Sequence, residues 1–199
     1  MKIVIVGATG TIGAKVTAEL EKRHEIIKVG SSSGDIQMDM TSYESIEKMY
    51  KRVGKVDAVI VAAGSATMKP FSELEEEDFY VGIKSKMMGQ VNVVLAGREY
   101  INDNGSFTLT TGILSEDPIK GSVGLGLVNG AVNSFGISAA AEMKRGVRLN
   151  VVSPGLVEDS AAELGSYFPG HNPVTMDKVV NAYVKSVEGI RTGEIIKVY

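Results

Sequence analysis

Short apolar runs recur along the chain, and several are apolar on consecutive rather than alternate positions. They are Lys2–Val6, Glu25–Val29, Ala58–Ala62, Ser106–Thr110, Arg148–Val152 and Glu194–Val198, with a shorter one at Ile36–Met38. Consecutive apolar positions over this length predict strands buried on both faces of a parallel sheet. The intervening segments carry helical periodicity: Thr11–Arg23, Ser42–Val53, Ser72–Tyr100, Val123–Arg145 and Met176–Gly189. Ser72 followed by Glu75 reads as a capping box opening the third helix, and Thr175 as the cap of the last. Strand–helix alternation throughout predicts right-handed βαβ units, a three-layer αβα doubly wound sheet of about seven strands and one domain over 1–199. Leu156–Pro173, with Gly165, Pro169, Gly170 and Pro173, reads as the one long irregular stretch, a lid over a site.

Composition narrows the chemistry. The 199 residues contain no cysteine, which excludes a disulfide framework, a cysteine-ligated metal and a thiol nucleophile. His24 and His171 stand too far apart in sequence to suggest a histidine metal site, so none is expected. The net charge of −3, without a basic run, argues against a nucleic-acid or anionic-membrane partner. The apolar runs fall short of a membrane span and the N-terminus lacks a signal-peptide layout, so a soluble cytoplasmic protein is expected.

The first strand runs directly into Gly7-Ala8-Thr9-Gly10-Thr11-Ile12-Gly13, and a helix follows. Glycines there permit a tight turn and close backbone approach to a pyrophosphate, which then faces the helix N-terminus. A strand before and a helix after supply the context that makes a glycine motif informative.

From end to end the chain resembles the short-chain dehydrogenase/reductases. Gly7, Gly10 and Gly13 match the spacing of the family's divergent members. Asp39-Met40 resembles its aspartate near the adenine ring, and Ala62-Ala63-Gly64 its Asn-Ala-Gly motif with alanine for asparagine. Asn150-Val151-Val152-Ser153-Pro154-Gly155 resembles the segment bordering the nicotinamide, and Thr192-Gly193-Glu194 the entry to the last strand. The resemblance implies a Rossmann-type fold, a bound NAD(P) and a homodimer paired through Ser72–Tyr100 and Val123–Arg145. An acid at the tip of the second strand would select NAD; Val29-Gly30 instead leads into Ser31-Ser32-Ser33-Gly34, which suits the extra phosphate of NADP.

The family's chemistry uses a serine, a tyrosine four residues before a lysine, and a helix asparagine. In this chain those positions fall on Gly112, Leu125, Asn129 and Lys86. Lys86 and Thr111 are therefore the candidates for substitute catalytic roles. Asn129 joins Gly7, Thr9, Gly10, Thr11, Ile12, Gly13, Ser31, Ser32, Asp39, Met40, Ala62, Ala63, Gly64, Pro154 and Gly155 as candidate cofactor contacts. Tyr80 and Lys84 have the right spacing but lie in the wrong element, and His171 is a lone loop histidine. The glycine-rich Gly121–Gly126 is expected to open space above the nicotinamide or to accommodate a different substrate. The expected function is an NAD(P)-dependent oxidoreductase acting on a small carbonyl or hydroxyl compound. A non-catalytic NADP(H)-binding redox sensor is the alternative, with a lyase or isomerase on the same scaffold as a third reading.

Overall fold

Ile3 and Ile5 pack on one face of a parallel sheet while Val4 and Val6 pack on the other, so the first strand contributes to two cores at once. This is why the run is apolar throughout. The computed structural model describes residues 1–199. Its strands are β1 Lys2–Val6, β2 Glu25–Gly30, β3 Ile36–Gln37, β4 Val56–Val61, β5 Ile101–Thr110, β6 Arg148–Pro154 and β7 Ile195–Val198. They form the expected seven-stranded parallel sheet, in the order β3-β2-β1-β4-β5-β6-β7. Between β1 and β4 the order reverses, and a crevice opens there at the carboxyl ends of the strands.

The helices are α1 Thr11–Leu20, α2 Tyr43–Val53, α3 Glu76–Gly82, α4 Met88–Gly97, α5 Val123–Glu142, α6 Glu158–Leu164 and α7 Met176–Glu188. α1 and α7 cover the Ile3/Ile5 face, where Tyr183 is fully buried and its hydroxyl lies 2.7 Å from Thr110 Oγ1. α2, α4 and α5 cover the other face, where buried Tyr50 donates to the Val93 carbonyl. Burial of both rings out of water pushes their phenol pKa values up.

Several expected boundaries are corrected. The long helix expected over Ser72–Tyr100 is broken into a 3₁₀ turn at Phe71–Glu73, α3, a π-helical turn at Ile83–Met87, and α4. Its capping box is Glu75 with Asp78, not Ser72 with Glu75. Ser72 falls inside the 3₁₀ turn, and extended Leu74 separates that turn from α3. Thr175 does occupy the N-cap of α7 but makes no side-chain cap. The Glu158 carboxylate takes its place, accepting from the Met176 amide. Leu156–Pro173 is not one irregular stretch, since it contains α6 and a 3₁₀ turn at Gly165–Tyr167. α5 ends at Glu142, before the left-handed pair Arg145 and Gly146.

α5 also corrects the reading of the apolar runs. Its twenty residues are long and apolar enough, by length and composition, to cross a membrane. In the fold, Val132, Gly136 and Ala140 are buried, and Gly136 allows Val151 of β6 to approach the helix closely.

Candidate functional site

β1 ends at a left-handed Gly7 (φ +84°), where a side chain would collide with the Ala62 carbonyl. A side chain on Gly13 would collide with the Gly7 carbonyl. The two glycines therefore let α1 sit tightly against the β1 and β4 tips. Gly10 is the N-cap of α1 and supplies no side-chain cap. The amides of Thr11, Ile12 and Gly13 have no backbone or side-chain acceptor, and face outward with the positive end of the helix dipole. A cradle closed to side chains with unpaired donors at its mouth fits the diphosphate of the expected dinucleotide.

From this turn a cavity of about 370 Å³ runs along the strand ends, lined by Thr9, Gly10, Ser31, Asp39, Ala62 and Gly64 among others. Ser32, Ser33 and Met40 line it too. Ser33 was not among the expected contacts, yet its hydroxyl lies 3.0 Å from that of Thr9 and ties the β2 loop to the glycine turn. Asp35 does not face this cavity with a free carboxylate, because its Oδ2 accepts from the Lys28 amide. Asp39 accepts from both the hydroxyl and the amide of Thr41, which hold its carboxyl below the usual range. The adenosine end is thus rich in hydroxyls.

The far end of the cleft is a smaller cavity of about 160 Å³. Lys86, Gly112, Leu125 and Asn129 all line it, together with Thr111, Pro154 and Gly155. The four positions that the resemblance assigned to the family's catalytic residues are thus brought to one place. Ile113, Leu114 and Phe168 complete the wall. Sequence reasoning missed these three. Phe168 had no signal beyond being an aromatic residue in the segment read as a lid.

Lys86 stands on the π-helical turn, an irregularity often found at functional sites. Gly64 (φ +118°) lies beneath the turn, and Ser85 Oγ accepts from the Ser65 amide, pinning the turn to the loop after β4. Gln90, fully buried, donates to the Lys86 and Thr110 carbonyls and accepts from the Thr110 amide, joining the turn to the tip of β5. The Lys86 ammonium has no carboxylate or hydrogen-bond partner of its own. Desolvation pushes its pKa down to about 8. Asn129 is 2% exposed and its Oδ1 has no partner.

Thr111 is held differently. Its hydroxyl donates to Asn133 Oδ1, Asn133 Nδ2 donates to Ser115 Oγ, and Ser115 donates to the Gly112 carbonyl. Its proton is committed to this chain, which braces the cavity wall. Gly124 and Gly126 do not open space. A side chain on Gly124 would press on the Thr67 carbonyl at 3.1 Å, and one on Gly126 on the Leu114 carbonyl at 3.0 Å. They serve close packing instead.

Other expected bystanders lie outside these cavities. Tyr80 is exposed on α3, hydrogen-bonded to Glu76, with the Lys84 ammonium 5.9 Å from its ring centre. His171 sits edge-on to Phe168 and 3.6 Å from Asp117. A separate cavity of about 410 Å³ opens at the other end of the sheet, beside Lys55, Arg98, Lys144 and Arg145. Lys55 donates to the Glu99 carbonyl and Arg145 to those of Arg98 and Ile101, so cations there satisfy carbonyls at a helix end and a strand start.

Comparison with known proteins agrees with this geometry. Residues 2–185 match the family model described as enoyl-(acyl carrier protein) reductase. The chain is 51% identical to protein lin1944 from Listeria innocua over the full length of both, with a TM-score of 0.99 between the structures. A small-chain dehydrogenase solved in complex with NADPH shares the fold, at 23% identity and a TM-score of 0.88 over 100% of this chain and 96% of that one. A hydroxynaphthalene reductase-like protein, Arp2 of Metarhizium brunneum, is 23% identical over 85% of this chain and 74% of its own length. With a family model matching residues 2–185, through six of the seven strands, the chain belongs to the short-chain dehydrogenase/reductase family of oxidoreductases.

Proposed function

We propose that the protein binds NADP(H) and interconverts a small carbonyl compound and its alcohol, with Lys86 in place of the family's tyrosine. The observation that carries this reading is the unpaired Lys86 ammonium in the small cavity beside Gly112, Leu125 and Asn129. The dinucleotide, when bound, supplies the hydride. Everything else falls to the chain. The amides of Thr11, Ile12 and Gly13 would hold the diphosphate, and Gly7 and Gly13 keep side chains out of its way. Ser31, Ser32, Ser33 and Thr9 would receive the additional phosphate that distinguishes NADP, with Asp35 turned away. The NADPH complex of the 23%-identical dehydrogenase is consistent with that choice. Asn129 Oδ1 would accept from a cofactor hydroxyl.

Lys86 donates its proton to the carbonyl oxygen during reduction and recovers it from water. An ammonium with a pKa near 8 is charged at neutral pH yet readily gives up a proton, as a general acid requires. Thr111 keeps a bracing role, since its hydroxyl proton already goes to Asn133. A homodimer would form through α3–α5, where Val81, Val123, Leu127 and Ile137 are exposed.

The test is a fluorescence titration with NADPH followed by NADPH oxidation against a panel of small aldehydes, ketones and oxo acids. Saturable binding with turnover on at least one class is the expected result. Tight binding without turnover on any class would favour a redox sensor, and no binding of either NADPH or NADH would refute the dinucleotide reading.

A further inference from the structure

The nicotinamide end of the cleft carries a single charge. Of its ten lining residues only Lys86 is ionisable. No carboxylate reaches its ammonium. Glu116 and Asp117 do not line this cavity: Glu116 pairs with Lys197, and Asp117 is exposed to solvent. Ile113, Leu114, Leu125 and Phe168 make the rest of the wall largely apolar. A desolvated cation without a counter-charge gains most from an anionic ligand. At about 160 Å³ the cavity is about half the lower bound for drug-sized ligands, and it is shared with the nicotinamide, so a substrate there has only a few carbons.

We infer that the substrate is a short 2-oxo acid, or the matching 2-hydroxy acid, whose carboxylate and neighbouring carbonyl oxygen both bind the Lys86 ammonium, with the alkyl group against Leu114, Leu125 and Phe168. This rests on the oxidoreductase reading above and names its substrate class. The adjacency is the point. One ammonium has three donors, enough to serve a carboxylate oxygen and the carbonyl beside it. A carboxylate several carbons away would find no second cation in this wall. Asn129 offers a neutral amide with an unpaired Oδ1 that repels an anion, so Lys86 is the one cation in the wall that can carry the recognition.

The experiment compares 2-oxobutanoate with 1-hydroxy-2-butanone, a neutral analogue of similar size. Binding is followed by NMR on lysine-¹³Cε-labelled protein, both free and saturated with NADP⁺. 2-Oxobutanoate should shift the Lys86 resonance and bind at least about tenfold more tightly than the neutral ketone, the scale of one charge-assisted contact. Lys86→Met should remove that preference and Lys86→Arg should retain part of it. Equal binding of both compounds, or an unchanged preference in Lys86→Met, overturns the inference. The two levels fail separately. NADPH-dependent reduction of neutral ketones, with 2-oxobutanoate ignored, would leave the oxidoreductase reading intact and reject the substrate class. Binding of 2-oxobutanoate at Lys86 with no reduction would uphold the site and reject the reaction.

Discussion

Gly64 lies directly under Lys86: a Cβ built on Gly64 would stand 2.7 Å from the Lys86 Cα. The loop after β4 can therefore touch the π-helical turn only because residue 64 lacks a side chain. Gly64 also has φ +118°, a backbone state that L side chains rarely adopt. Gly64→Ala should lower stability by about 1–3 kcal/mol through strain and overlap. Because the turn must retreat, turnover should fall more than NADPH affinity does. Urea denaturation and steady-state kinetics measure the two effects separately. Unchanged turnover would mean that the position of the turn does not matter.

Gly13 tests the cradle itself. A methyl group there would collide with the Gly7 carbonyl and push α1 away from the β1 tip. Gly13→Ala should weaken NADPH binding by at least about tenfold. Fluorescence titration reads this directly, and circular dichroism checks that the fold survives.

The hydroxyl-lined adenosine end predicts a preference for NADPH over NADH. Ser31→Asp would place a carboxylate just beyond the tip of β2, where the present carboxylate, Asp35, is bound to the Lys28 amide. Repulsion of the extra phosphate should then reverse the preference, by at least about tenfold in the ratio of kcat/KM values. A ratio unaffected by the substitution would place the phosphate elsewhere.

Lys86 makes stability depend on pH in a defined direction. Its pKa lies near 8 in the folded chain and near the ordinary 10.5 once unfolded. Between those values the unfolded chain binds the extra proton, so the contribution of Lys86 to stability rises with pH across that window. Relative to Lys86→Met, the wild type should gain stability from pH 8 to pH 10, and Lys86→Met should be the more stable protein at pH 7. Parallel denaturation of both proteins cancels the other groups that titrate there.

Much of the fold could be read from the sequence, because a strand buried on both faces must be apolar at consecutive positions, as in Val4-Ile5-Val6. The cradle was equally legible, since only glycine fits at Gly7 and Gly13. The break within Ser72–Tyr100 was not. The capping that divides it lies in the acidic pair Glu75 and Asp78, which reads in the sequence as part of one solvated acidic run. The π-helical turn depends on contacts distant in sequence, from Gly64, Ser65 and Thr110. The commitment of the Thr111 proton depends on Asn133, 22 residues away, which no local pattern encodes. Gly124 and Gly126 looked like open space because sequence does not reveal which backbone approaches a glycine.

The role proposed for Lys86 is to supply the proton that the family normally takes from tyrosine. It is tested most directly by measuring kcat at saturating NADPH and substrate for wild type and Lys86→Met, with the NADPH dissociation constant determined on the same samples. In Lys86→Met kcat should fall by about 10²–10⁴-fold, the usual worth of a positioned general acid, with cofactor affinity changed by less than about threefold. An undiminished kcat in Lys86→Met would contradict it.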